Sequence, residues 1–291
     1  MTLCFLGAGM INTGLALAAA ERGARVRLWN RTPHKARQAA EDAAALRGEV
    51  TAVPTLADAV SDAQEIHLAL TADEAVDEVL ASCAPFLHPA AIILDHSTTS
   101  VAGTIERAKR LDASGIAFLH CPVFMSPQAC RESRGMMLVA GPEGHYQRVA
   151  TALSQMTGEV WYLGESPGAA AATKLMGNAG ILANIGVMAD AMAIGHSAGL
   201  PDDHAMRLFE RFNPTGSMFR RARWAIAGDL EARWTMTMAR KDVRLMQEAA
   251  VDRPLSVLDG LASRLDERLG EGTAALDVAA LVSPSVGGED V

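Results

Sequence analysis

The stretch "FLGAGMINTGLALAAAERG", residues 5–23, decides the fold. It closes the first apolar run, "TLCFLG" (2–7), turns on glycine and opens an alanine-rich helix. Gly7 and Gly9 supply a tight turn and let the backbone approach a pyrophosphate at the helix N-terminus. The third glycine of a G-x-G-x-x-G fingerprint is absent: Asn12 stands in its place, and Gly14 follows two residues on. A broken fingerprint is a weak signal by itself. Its position in the first βαβ unit of about 30 residues gives it weight.

Working outward, the same unit recurs. Apolar runs at "RVRLWN" (25–30), "EIHLAL" (65–70), "AAIILDHS" (90–97), "IAFLHCPV" (116–123), "MMLVAG" (136–141) and "EVWYLG" (159–164) alternate with amphipathic stretches. Thr32-Pro33 is a helix start, a cap residue before proline at the first helical position. Strands alternating with helices predict a parallel sheet of βαβ units. After "LGESPG" (163–168) no strand-like run returns. Helices are predicted at about 168–197, 202–212, 217–227, 235–251 and 255–269, with Asp202 placed to cap the second. The expected organisation is an α/β dinucleotide-binding domain over 1–164 and an all-α domain over 165–291. The tail "SPSVGGEDV" (283–291) is expected to fray.

Composition sets outer bounds. Of 291 residues, 49% are apolar and 21% charged, enough for a large core and against global disorder. A net charge of −8 argues against a nucleic-acid partner. No apolar run approaches the ~18–20 residues of a membrane span, and the chain starts on a strand, not on a basic leader. Cys4, Cys83, Cys121 and Cys130 form no C-x-x-C pair and read as reduced thiols of a cytoplasmic protein. No metal-ligand spacing is present.

The end of the second strand selects the nucleotide. An acidic residue there holds the ribose of NAD, whereas this chain has "WNRTPHKA" (29–36), with Asn30, Arg31, Thr32 and Lys35 and no carboxylate. Arginine pairs with a 2′-phosphate and lysine adds positive charge, so NADPH is expected over NADH. A solvated basic turn is the plain alternative. By the strand-end rule, Leu70-Thr71-Ala72, "DHSTTS" (95–100) and "CPVFMSPQA" (121–129) surround the cofactor. Thr71, Ser97 and Thr98 can contact ribose or substrate, or simply cap helices.

Late in the chain, "GAAAATKLMGN" (168–178) sets Lys174 and, at i+4 on the same helix face, Asn178 into an apolar run. Taken together and in order, these segments resemble the β-hydroxyacid dehydrogenases, which include 3-hydroxyisobutyrate dehydrogenases and small semialdehyde reductases. The neighbouring imine reductases share the architecture, and the nucleotide domain is similar to that of 6-phosphogluconate dehydrogenase. "GAGM" looks like the cofactor loop, "DHSTTS" the D-x-S-T segment, and "CPVFMSPQACRESRGMMLVAG" the substrate segment. "GAAAATKLMGN" looks like the catalytic G-x-x-x-K-x-x-x-N helix, and "MARKDVRLMQEA" the late K-D-L-x-L-A stretch.

The resemblance implies a Rossmann domain followed by a helical domain, with NADP(H) bound and hydride delivered to a small carbonyl. It implies cofactor contacts from Gly7, Ala8, Gly9, Met10, Ile11, Asn30, Arg31, Thr32, Lys35, Leu70, Thr71 and Thr98. Lys241, before Asp242, corresponds to a lysine that closes over the cofactor; by residue type it reads as a surface ion pair. Lys174 becomes the general acid/base, with Asn178 beside it. Substrate contacts fall to Thr98, Val123, Phe124, Met125, Ser126, Lys174 and Asn178.

One segment departs from the pattern. Where the family has Ser-Gly-Gly after Pro-Val, this chain has Phe124-Met125-Ser126, and His120 stands where aspartate is usual. Apolar bulk replaces a small anion site, unless Ser126 or Arg220, Arg221 or Arg223 restores one. His120 is an alternative acid/base but reads as a packed histidine. The leading expectation is an NADP(H)-dependent oxidoreductase interconverting a 3-hydroxy acid or similar alcohol and its semialdehyde. The alternatives are an imine or ketone reductase with an apolar pocket, and a non-catalytic NADP-binding module. The long helix over 168–197 is expected to be buried on all sides, against the first domain or a second subunit, which makes a homodimer the expected assembly.

Overall fold

The computed structural model describes residues 2–283, so the tail beyond Ser283 lies outside the described residues. Two compact units are present, one ending at Asn178 and the other beginning at Ala179.

The first unit opens with β1 (Thr2–Leu6), α1 (Met10–Glu21), β2 (Arg25–Trp29), α2 (Pro33–Asp42) and β3 (Glu49–Ala52). It continues with α3 (Leu56–Val60), β4 (Glu65–Leu68), α4 (Asp73–Cys83), β5 (Ile92–Asp95), α5 (Val101–Ala113) and β6 (Ala117–His120). Then come β7 (Val123–Phe124), α6 (Pro127–Arg131), β8 (Met136–Val139), α7 (Glu143–Ser154), β9 (Glu159–Tyr162) and the start of α8 (Gly168–Ser197).

Six strands form a parallel sheet in the order β3-β2-β1-β4-β5-β6, the doubly wound arrangement with its switch point between β1 and β4. Successive residues alternate faces: Phe5, Leu28 and Leu94 enter one core, while Leu6, Ile66 and Ile93 enter the other.

Two details differ from the sequence reading. Strand β3 has no counterpart among the apolar runs, because "EVTA" pairs only with β2 at the sheet edge and buries one residue, Val50. The runs at 136–141 and 159–164 do not extend the parallel sheet. They form a separate three-stranded sheet, β7-β8-β9, with β7 antiparallel to β8. The run 116–123 is divided because Pro122 ends β6 pairing and turns the chain, its carbonyl accepting from Leu138 N at 2.9 Å.

The glycines of the opening stretch have distinct tasks. Gly7 has φ +98°, and a Cβ there would lie 2.7 Å from Ala69 O. Gly14 lets α1 meet α6, since its Cβ would lie 2.7 Å from Cys130 Cβ. In place of the missing third glycine, Asn12 is fully buried and donates from Nδ2 to Leu6 O and Gly7 O, both at 2.9 Å. The amide pins the turn from inside.

The second unit holds the rest of α8, then α9 (His204–Arg211), α10 (Thr215–Ile226), α11 (Met236–Ala250) and α12 (Ser256–Gly270). Met236, Val243, Ala262 and Leu265 form its core. Asp202 does not cap α9. Asp203 holds that position, and Asp202 pairs with His196 instead.

Helix α8 is left open by its own chain over part of its length: every residue from Ala179 to Ile185 is exposed, with Leu182 at 68% and Ile185 at 63%. By length and composition α8 is apolar enough to cross a membrane, although its sequence breaks into shorter apolar runs at polar residues. One of these, Asp190, is buried and accepts from Val257 N (3.0 Å) and Leu258 N (2.9 Å), capping α12, which has no cap of its own.

Candidate active site

The site is built in the first unit, at the carboxyl ends of the parallel strands. A cavity of about 410 Å³ is lined by Gly7, Ala8, Gly9, Asn30, Arg31, Thr32, Lys35, Leu70 and Thr71, nine of the residues implied by the resemblance. Gly9 heads α1 with no side-chain cap, which leaves the first-turn N–H groups to an anion. A Cβ at Gly9 would meet nothing within 4 Å. Thr32 heads α2 with Pro33 at its first position, but its hydroxyl makes no capping bond.

Arg31 and Lys35 are both exposed and, among the described residues, neither pairs with a carboxylate. Glu78, on the α4 wall, is an acidic residue of the same cavity that the sequence reading does not include. Uncapped N–H groups and a glycine turn fit the pyrophosphate of a dinucleotide, and Arg31 and Lys35 add positive charge to the same cavity.

Asn30 acts first on the protein itself. Its Oδ1 accepts from Ala8 N (2.9 Å) and its Nδ2 donates to Thr32 O (3.0 Å), so one amide joins the first two strand-end loops. Met10 is 76% exposed beside the cavity, whereas the Ile11 side chain turns into the core. Ser97 neither caps a helix nor faces solvent. It is buried, and its Oγ accepts from Leu70 N at 2.9 Å, while Asp95 Oδ1 accepts from Ser97 N. Thr98, by contrast, is exposed.

Lys174 is positioned by the small residues before it. Gly168 sits against Val101 and Ile105, where a Cβ would come within about 3 Å of both side chains. Ala170 packs on Leu138 and Ala140, with Phe124 and Met136 alongside. One turn later Lys174 Nζ donates to Val123 O at 2.8 Å and lies 4.0 Å over the Phe124 ring. Burial pushes its pKa below the ordinary lysine value. Asn178 follows on the same helix face.

Other expected substrate contacts separate from this pair. Met125 packs on the core and against Gly135. Ser126 Oγ accepts from Ala129 N at 3.1 Å and caps α6. His120 is fully buried, its Nε2 3.1 Å from Ser97 O, and burial pushes its pKa down. It is a packed histidine. In the second unit, Lys241 pairs with Asp242, and Arg221 lies 3.4 Å from the buried Asp277 carboxylate.

Fold, glycine turn and strand-end cavity define a dinucleotide-binding protein of the Rossmann class. Residues 2–164 match the NAD binding domain of 6-phosphogluconate dehydrogenase, and the chain belongs to that family. Among curated proteins it is similar to the NADH-dependent oxidoreductase ucdB of Aspergillus ustus, 28% identical over 187 residues, 64% of this chain and 62% of that protein. It is also similar to L-threonate dehydrogenase of Escherichia coli, 28% identical over 170 residues, 57% of this chain and 56% of the relative. The chain thus spans little more than half the length of the curated relatives it matches. Among solved structures, the imine reductase from Pseudomonas sp. superposes with a TM-score of 0.85 at 19% identity, covering 96% of this chain and 97% of that one. The reductive aminase from Aspergillus terreus, solved with NADPH and ethyl-5-oxohexanoate, superposes with 0.84 at 21%, covering 97% and 98%. At these identities the likeness is one of fold.

Proposed function

We propose that the protein is an NADP(H)-dependent oxidoreductase that interconverts an alcohol and its aldehyde or ketone, with Lys174 as general acid/base. The observation that carries this reading is the Lys174 ammonium, partly buried and fixed by Val123 O in the substrate segment of the nucleotide unit. Gly7, Gly9, Arg31 and Lys35 would hold the nucleotide, whose nicotinamide would supply the hydride when bound. As the carbonyl oxygen gains charge, Lys174 stabilises it and gives it a proton; in the reverse direction neutral Lys174 takes the alcohol proton. Asn178 adds a neutral amide on the same face.

Arg31 and Lys35 support NADPH over NADH, because both cations line the cavity just beyond β2 and, among the described residues, neither pairs with a carboxylate. The resemblance favours a 3-hydroxy acid and its semialdehyde as substrate pair. Phe124 on Lys174 favours a second reading, a ketone or imine in an apolar pocket.

The exposed apolar surface of α8 supports a homodimer. The four thiols, all buried and free, support a reducing compartment, the cytoplasm. The test is NADPH oxidation against a panel of aldehydes, semialdehydes, ketones and cyclic imines, with Lys174→Ala as control. Tight NADPH binding without turnover of any of them would reduce the protein to a binding module.

A further inference from the structure

Phe124 and Gly177 form a pair that no feature of the nucleotide site requires. A Cβ built on Gly177 would lie 2.2 Å from Phe124 Cζ and 2.6 Å from Cε1. The ring therefore fills the notch that this glycine leaves in α8, one turn beyond the point where it meets Lys174. Its face stands 4.0 Å from Nζ.

The chemistry around the ammonium follows from that seating. An ammonium has three N–H donors. One is spent on Val123 O at 2.8 Å, and the ring face covers a second side. Both neighbours are electron-rich, a carbonyl oxygen and the negative face of an aromatic quadrupole. They offset the pull of the ammonium on a further anion but leave one donor, which is what a single carbonyl oxygen or imine nitrogen needs. The loop from Cys121 to Ala129 offers a carboxylate little. Residues 121–129, "CPVFMSPQA", contain no cation. The Ser126 oxygen is engaged at the head of α6, and Met125 is packed on the core.

We infer that Phe124, seated against Gly177, is the specificity-determining wall of the site and selects substrates whose carbonyl or imine carries no nearby carboxylate. This inference rests on the reading of Lys174 as the group that meets the substrate.

The test uses a matched pair, one semialdehyde as its free acid and as its methyl ester, with the same carbonyl and differing charge. Their kcat/KM values are measured with NADPH. Binding of the corresponding non-reacting acid and ester, both lacking the aldehyde group, is followed by ligand-observed NMR in the presence of NADP+. The wild-type protein is expected to favour the ester at least tenfold in both readouts. Phe124→Ser should reduce that preference by about tenfold or more, and Phe124→Leu, which keeps apolar bulk without an atom beyond the ring's reach into the notch, should reduce it less. Gly177→Ala, which evicts the ring while leaving Phe124 in the chain, should act like Phe124→Ser. Mass-spectrometric labelling of Lys174 with an amine reagent should quicken in Phe124→Ser and Gly177→Ala only.

A wild-type protein that binds acid and ester equally overturns the inference, whatever the variants do. So does an unchanged preference in Phe124→Ser when Lys174 labelling has quickened. If the binding preference shifts as expected while no protein oxidises NADPH, the wall stands and the oxidoreductase reading falls.

Discussion

At the residue scale, Lys174 is the most exposed to test, because its two neighbours and its burial are all defined. Removing it as Lys174→Ala should lower turnover by roughly 100- to 10,000-fold, the range for a lost general acid/base, with NADPH affinity kept. Fluorescence titration of NADPH beside steady-state kinetics separates the two effects. The pH dependence has a definite sign. Burial lowers the Lys174 pKa, and the proposed carbonyl reduction uses the ammonium, so the reduction rate should be high below that pKa and fall as pH rises through it. Alcohol oxidation uses the neutral amine and should rise over the same interval. A second residue test concerns Arg31, exposed on the cavity wall. Arg31→Ala should raise KM for NADPH by about 10- to 100-fold, the value of one or two charge-assisted hydrogen bonds, and change KM for NADH little. Equal losses with both nucleotides would assign Arg31 to adenine stacking.

At the element scale, the parts legible in the sequence are those that obey a local rule. The parallel sheet and its helices follow from apolar runs, and α8 has the bounds that its alanine-rich composition indicates. Short edge elements obey no such rule: β3 buries one residue, and β7 is two residues long. Nor does periodicity show that the runs at 136–141 and 159–164 leave the main sheet, since sheet membership is a long-range property. The site divides in the same way. Gly7, Arg31, Lys35 and Lys174 are recognisable by residue type and place, whereas Asn12 reads only as a missing glycine and Ser97 as a ribose or substrate contact or a cap. Their tasks depend on partners brought close by folding, Leu6 O for one and Leu70 N for the other.

Asp190 is the clearest case, a carboxylate inside an apolar helix that caps a helix 67 residues away in sequence. Asp190→Ala should destabilise the second unit by about 1–3 kcal/mol, a lost cap plus two stranded donors. Urea unfolding measures the loss, and amide exchange at Val257 and Leu258 should quicken. Asp190→Asn, which keeps one acceptor oxygen, should recover part of the stability.

At the scale of the whole molecule, the question is what covers α8. Seven consecutive residues, Ala179 to Ile185, are exposed in the single chain, so the helix is open around its full circumference for nearly two turns. Ile181, Leu182 and Ile185 are among them, and Met176 adds 72% exposure one turn earlier. An apolar helix open on all sides is costly in water, at roughly 25 cal/mol per Å² of apolar surface. A bilayer would cover it too. However, the buried Asp190 carboxylate bound to the start of α12 ties the same helix to a polar neighbour, which a spanning segment would have to break. A second copy of the chain meets both conditions, and two-fold pairing is the commonest way to cover such a face. Light scattering in detergent-free buffer should therefore give twice the mass of one chain at micromolar concentration. Leu182→Glu with Ile185→Glu places charge on that exposed face and should shift a dimer toward monomer, with unfolding of the nucleotide unit unchanged. A monomeric wild-type protein that stays soluble would exclude the dimer, whereas one that partitions into lipid vesicles would assign α8 to the membrane.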